Sequence, residues 1–417
     1  MNMSSNQISA QISISYELAT FSAFSISSQR WADCIVSEIQ LKARAIRIPI
    51  DRPTRMSTRI LDAREFVLVY AQATDVDLVG VGFTYAGTSG GSIVAEVINT
   101  VLANVVDDHG STDIVGTWEA MFQESLLLGR RGAVLRAMSA VDIALWDLAA
   151  KRAGVPLAVH LGGSAHDIPA YASGGYYRQE PAGWADAVTR EITLNREQGF
   201  TDHKIKVGGL SVAEDQKRVA AAIEAIAGSG RLALDANNAY GSPSEAQRAA
   251  EAFERAAGET GLWWLEEPLS VEDVRGLARV RDRISTPIAT GEIAQTRHDF
   301  RILIEEGAAD ILQPDAGVLG GVTEYMRVVR TAETFGMTVA PHWHANLHVH
   351  LAAASTTSLA VEHFTLGKDI YNFEKLIVPE SRLQIANGMA KVPVGPGLGL
   401  QFDEDMVNVH ELLAGVS

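Results

Sequence analysis

Cysteine is almost absent from this sequence: Cys34 is the single one in 417 residues. That excludes an internal disulfide and any multi-cysteine metal site, and it fits a reducing, cytoplasmic setting. Positive charge is also scarce, with 35 Lys and Arg against 51 Asp and Glu and a net charge of -16. Such a chain is not built to hold nucleic acid or an anionic membrane through general electrostatics. No uninterrupted apolar run reaches membrane-spanning length, and residues 1–30 carry only Glu17 and Arg30 as charges, so no basic segment precedes an apolar core as in a secretory leader. Apolar residues are not lacking: at 47% hydrophobic and 21% charged the chain buries a core and is not generally disordered. Its 417 residues exceed what one core usually organises, so two packed units are expected.

Residues 1–37 form an N-terminal extension, in which strict alternation from Gln7 to Leu18 reads as an extra strand. The competing reading is a disordered tail. From about Glu38 to Ile48 the pattern is strand-like. A basic loop with Arg52, Arg55 and Arg59 follows, then a strand from Glu65 to Thr74 and three amphipathic helices, so that residues 38–160 make an α+β unit. From 161 to 379 short β-rich runs alternate with helices: Pro169–Ala172, His203–Val207, Leu232–Asp235, Trp263–Leu265, Ile288–Thr290, Asp310–Leu312, Thr338–Ala340 and Ala360–Glu362. Repeated βα units of this kind predict a barrel with its chemistry at the carboxyl ends of the strands. The Gly- and Pro-rich segment 380–417 is expected to return to the first unit.

Nearly every predicted strand ends in an ionisable residue: Lys204 and Lys206, Asp235, Glu266, Glu292, Asp315, His342 and Glu362. Any one of them is also compatible with a helix cap or a solvated face. Asp235, Glu266 and Glu292, however, close three consecutive strands and converge as hard oxygen ligands, a set that suits Mg²⁺ and not zinc. Lys204 and Lys206 stand two apart on a strand and point the same way. Like charge and burial lower a lysine pKa, so one is expected to act as general base while its neighbour faces a substrate carboxylate. Opposite them, Asp315 pairs with His342 and sets its tautomer. Asn237 either contacts substrate hydroxyls or simply forms the turn.

Taken together, Lys204-x-Lys206, Asp235-Ala-Asn237, Glu266-Glu267-Pro268, Gly291-Glu292, Asp315 through Gly321, Pro341-His342 and Glu362 resemble the enolase superfamily, in its mandelate racemase subgroup, over residues 38 to 405. The segment from Pro341 to Phe364 and Tyr171 to Gly175 look most like galactarate and talarate dehydratases. The resemblance implies an α/β fold in which a modified TIM barrel, (β/α)7β, carries an α+β capping domain built from both ends of the chain. It implies Mg²⁺ on Asp235, Glu266 and Glu292, proton transfer by Lys206 and by the His342–Asp315 dyad, and Glu362 assisting an enediolate. It also implies that the Arg52–Arg59 loop and the segment Phe83-Thr84-Tyr85 cover the barrel mouth, where an arginine would hold a distal carboxylate. A homo-oligomeric acid-sugar dehydratase acting on a small-molecule carboxylate is the expected function. A racemase or epimerase, an aldonate dehydratase, or a non-catalytic barrel that binds sugar acids are the alternatives.

Overall fold

The computed structural model describes residues 39–109, 113–177, 183–365 and 372–412. The expectation for the N-terminal extension therefore lies outside the described residues. Strands β1 (Ile39–Arg55), β2 (Ile60–Ala73) and β3 (Val79–Tyr85) form an antiparallel sheet in the order β1-β2-β3. β1 runs further than the residue pattern suggests. It pairs with β2 from Ile39↔Ala73 to Pro49↔Ala63, bulges, and resumes at Thr54↔Leu61. Arg52 and Arg55 thus belong to a strand and not to a loop, and the turn shrinks to residues 56–59. Phe83, Thr84 and Tyr85 likewise end β3 instead of forming a covering loop.

Helix Ala133–Ala153 packs on β3, and its approach is set by glycine. A Cβ added at Gly80 would fall 2.2 Å from the Ala144 carbonyl oxygen, and one at Gly82 would fall 2.1 Å from that of Ala140. Neither backbone has room to yield, so Gly82→Val is expected to lower folding stability by at least about 2 kcal/mol, as overpacked cores do. Chemical denaturation with an unchanged m-value would report it.

The second sheet contains the barrel: β4 (Ile168–Gly174), β5 (His203–Lys206), β6 (Leu232–Asp235), β7 (Leu265–Glu266), β8 (Ile288–Thr290), β9 (Ile311–Leu312), β10 (Thr338–Val339) and β11 (Val361–His363). Neighbours from β4 to β10 pair in parallel, and β11 returns to pair with β4. Closure between β10 and β11 is thin: Val339 donates to Thr357 and accepts from Leu359. Helices follow each strand but the last, and their starts are written locally. Ser211 and Glu214 form a capping box, Ser242 caps a helix that opens on Pro243, and Asp273 caps the next. The long interval from Asp235 to Glu266 holds helix Pro243–Ala257, 15 residues, against 8 in Val274–Arg281.

After the barrel, a hairpin turning on Asn387-Gly388 (φ 51° and 69°) adds an antiparallel pair to β4. The chain then reaches back to β1. Arg44, buried, donates to Glu404 at 2.8 Å, Asn408 at 2.6 Å and both oxygens of Glu411 at 2.9 and 2.6 Å. Among the described residues no helix is long and apolar enough to cross a membrane.

Candidate active site

Inside the barrel the side chains stack in layers. The lower layer is Tyr171, Ala233, Trp264, Ala289, Ile311, Ala340 and Ala360, one from each strand except β5 or from the residue flanking it. Two aromatics among alanines fill a space that an eight-stranded barrel leaves just wide enough for side chains. Tyr171 and Trp264 meet edge to face, 5.3 Å between centroids at 82°.

Above this floor Lys206, Asp235 and Glu266 are cross-strand neighbours in one row. Lys206 Nζ contacts Asp235 Oδ2, and the Asn237 amide and carboxamide donate to the same carboxylate at 2.9 and 3.2 Å. Glu266 accepts from Trp264 Nε1 at 3.1 Å and Gln313 Nε2 at 2.7 Å. Lys204 Nζ lies 2.7 and 2.8 Å from the two Glu266 oxygens and 2.8 Å from Glu362 Oε1. The lowered pKa expected of one of the two lysines does not fall on Lys204. Burial alone would lower the Lys204 pKa, but Glu266, Glu362 and the other anions around it hold it well above the usual lysine range. Lys204 is thus held in its charged form.

Carboxylate oxygens of Asp235, Glu266 and Glu292 all lie within 4.8 Å of one another. Burial, then the Asp235 charge, push Glu266 up to about 8 although Lys204 pulls the other way. Glu292 Oε2 is buried and accepts no hydrogen bond among the described residues. An anionic cluster with spare oxygen lone pairs calls for a hard cation, which takes oxygen ligands of this kind.

On the opposite side His342 Nδ1 lies 2.8 Å from Asp315 Oδ2, while Asp315 Oδ1 accepts from the Gly317 amide at 2.8 Å. Asp315 therefore holds the proton on Nδ1 and leaves Nε2 facing Glu292 Oε2 at 3.4 Å. Burial disfavours the imidazolium, yet Glu292, the Asp315 hydrogen bond and Glu362 raise the His342 pKa to about 10. Glu362 goes the other way: burial would raise it, but the Lys204 charge and then His342 bring it to about 2. Its Oε2 accepts from the Trp343 amide at 2.8 Å. Trp343 and His344 both adopt left-handed backbone (φ 49° and 34°), which turns the chain sharply from His342 into the next helix. The turn is braced by His348, whose Nε2 accepts from the Ala316 amide, so that Nδ1 donates to the Trp343 carbonyl at 2.8 Å. His350 packs away from the site, between Ala158 and Leu398.

The expected cap residues are brought to the mouth unevenly. Ser57 donates to the Val207 carbonyl at 2.5 Å and Thr58 to that of Asn237 at 3.3 Å, so the 56–59 turn sits over the ends of β5 and β6. The Arg52, Arg55 and Arg59 side chains are exposed. Tyr85 is buried, with its ring 4.6 Å from Trp343 and 6.4 Å from His342. Gln313 and Trp264 escaped the residue reading because neither is ionisable, and His348 because it lies inside the helix after the strand end.

Two family models match this chain: Enolase C-terminal domain-like over residues 187–406, and Mandelate racemase / muconate lactonizing enzyme, N-terminal domain, over residues 38–162. The chain belongs to the enolase superfamily, in its mandelate racemase subgroup. Enolase-superfamily relatives include L-talarate/galactarate dehydratase of Salmonella typhimurium, 30% identical over 84% of this chain and 86% of that protein. A 3,6-anhydro-alpha-L-galactonate cycloisomerase of Streptomyces coelicolor is 33% identical over 86% of this chain and 94% of its own length. The crystal structure of L-talarate dehydratase from Polaromonas, complexed with Mg and L-glucarate, superposes with a TM-score of 0.79 at 29% identity, covering 90% of this chain and 98% of that one.

Proposed function

We propose that this enolase-superfamily chain is a Mg²⁺-dependent hydro-lyase of acid sugars, taking an aldarate such as galactarate or talarate to a 2-keto-3-deoxy acid. The observation that carries the reading is a cation site flanked by two proton carriers, with Lys206 on Asp235 and His342 Nε2 3.4 Å from Glu292. The dehydratase relative and the Mg- and glucarate-bound neighbour support it. The capping unit is residues 38–160 with the later part of the segment 380–417, whose earlier hairpin pairs with β4, set over a barrel of 161–379. A cytoplasmic homo-oligomer completes the reading, on the single cysteine and on Leu126, Leu127 and Leu128, exposed at 59%, 96% and 56%.

Asp235, Glu266 and Glu292 would hold Mg²⁺, which supplies Lewis-acid neutralisation of a substrate carboxylate. Lys204 adds a fixed positive charge where a second negative charge develops, and Glu362 keeps that ammonium aligned. Lys206, in its neutral amine form, takes the α-proton from one face of the substrate. His342, holding a proton on Nε2, gives it to the β-hydroxyl, which leaves as water; the resulting enol tautomerises. In an acid of opposite α-configuration the two residues exchange roles. Without a β-leaving group, return of a proton from the other face inverts the carbon instead, which is the racemase reading.

The test is incubation with Mg²⁺ and a panel of aldarates and aldonates, with assay of 2-keto product and of α-deuterium exchange in D₂O. Exchange without keto product would select the racemase, and neither on any acid would sink both. Chelation is expected to reduce turnover by at least about two orders of magnitude. Mg²⁺ should restore it and raise the melting temperature of the stripped protein. Activity indifferent to EDTA would remove the metal assignment.

A further inference from the structure

Behind β5 lies a buried ion pair that the chemistry above does not use. Asp215 and Arg218, on helix Val212–Ile226, are 0% and 1% exposed, and Arg218 is among the largest fully buried side chains of the described residues. Arg218 Nη1 donates to Asp215 Oδ1 and to the main-chain carbonyl of Lys206, both at 2.7 Å, and Nη2 donates to the carbonyl of Gly175. Its guanidinium lies 4.3 Å from the Tyr177 ring centroid. Tyr177 Oη is 2.9 Å from Asp215 Oδ1 and accepts from the Gly209 amide at 2.9 Å. Asp215 Oδ2 accepts from the Gly208 amide at 2.7 Å. The Tyr177 amide donates to the Arg55 carbonyl at 3.0 Å, next to the turn that covers the mouth.

The acceptors identify what is being held. Lys206 and Gly175 close the adjoining strands β5 and β4, so the guanidinium bridges two strand ends at the lip of the barrel. A planar fork with several donors can do this in one geometry, and a flexible ammonium cannot. The glycines leave no slack: a Cβ at Gly209 would fall 2.2 Å from the Tyr177 ring, and one at Gly175 would fall 2.5 Å from Ile205 Cβ. A buried ion pair is weak evidence for stability as such, since apolar residues of like volume often serve as well. Its location, on the carbonyl of the residue whose ammonium meets Asp235, is specific.

We propose that Arg218, Asp215 and Tyr177 are positioning residues for Lys206, holding its main chain so that Nζ meets the substrate face and tying that strand end to the capping turn. The proposal rests on the reading of Lys206 as one of two proton carriers. It is therefore tested face by face. In a His342→Asn background α-deuterium exchange of the acid-sugar panel reports Lys206 alone, and in a Lys206→Ala background it reports His342 alone. Arg218→Lys, and separately Tyr177→Phe should the first fail to fold, is expected to lower exchange roughly 10- to 100-fold in the first background, the scale of an ångström's misplacement. In the second it should change less than twofold. Equal losses in both, or none in either, would overturn the inference and leave the proposed function standing. A wild-type protein that exchanges no acid sugar would instead overturn the function. A crystal structure of Tyr177→Phe gives an answer independent of activity: Lys206 Nζ displaced from Asp235 supports the role, and Lys206 unmoved removes it.

Discussion

Lys204→Met is expected to eliminate turnover and to lower the stability of the metal-free protein by about 3–5 kcal/mol, the usual penalty for removing one partner of a buried pair. The Lys204 side chain is 0% exposed and is the cation shared by Glu266, Glu362 and, at 3.8 Å, Asp235. Methionine fills the volume but leaves three carboxylates facing one another over an apolar floor. Two outcomes separate this from a generic packing defect. Mg²⁺ should recover part of the lost melting temperature, because a cation on Asp235 and Glu266 takes over some of the compensation, whereas activity should not return, because the charge beside the developing enediolate is still missing. A variant as stable as the parent without metal would contradict the electrostatic account.

His342→Asn is expected to cost about 10²–10⁴ in kcat, the range for removing a general acid or base. Asparagine can still donate to Asp315 from near the Nδ1 position, so that contact is kept while the imidazolium charge is lost. What disappears is the proton carrier facing Glu292. Deuterium exchange should survive for acids whose α-proton faces Lys206 and vanish for those of opposite configuration, with Lys206→Ala giving the mirror pattern. If both variants bind acid sugars as the parent does, and neither they nor the parent turns them over, the barrel is a binding protein after all.

The eight barrel strands and the groups at their ends were legible because an ionisable residue closing a short apolar run is a local pattern, repeated here with helical spacers. Lys204 and Lys206 could be put on the inner face from period two alone, with Ile205 and Val207 opposite. Local sequence does not carry the sign of a pKa shift, which depends on what arrives from other strands. Two lysines in isolation suggest a lowered value, and Glu266 and Glu362 reverse it for Lys204. The capping sheet was less legible for a related reason. Arg52 and Arg55 look like loop residues, but pairing with β2 extends β1 through a bulge. Asp215 and Arg218 sit three apart on a helix, where they read as an ordinary surface pair until Lys206 and Tyr177 close over them.

Arg44 has a bearing on how the molecule is made. Its counter-charges, Glu404 and Glu411, lie 360 and 367 residues further along the chain. At ribosomal rates of about 5–20 residues per second, the first strand waits roughly 20–70 s for them. Throughout that interval the capping sheet can fold only without these partners for its guanidinium, while the barrel strands are still emerging. The lid over the site is thus the last part of the molecule to be finished, although it is among the first to be synthesised.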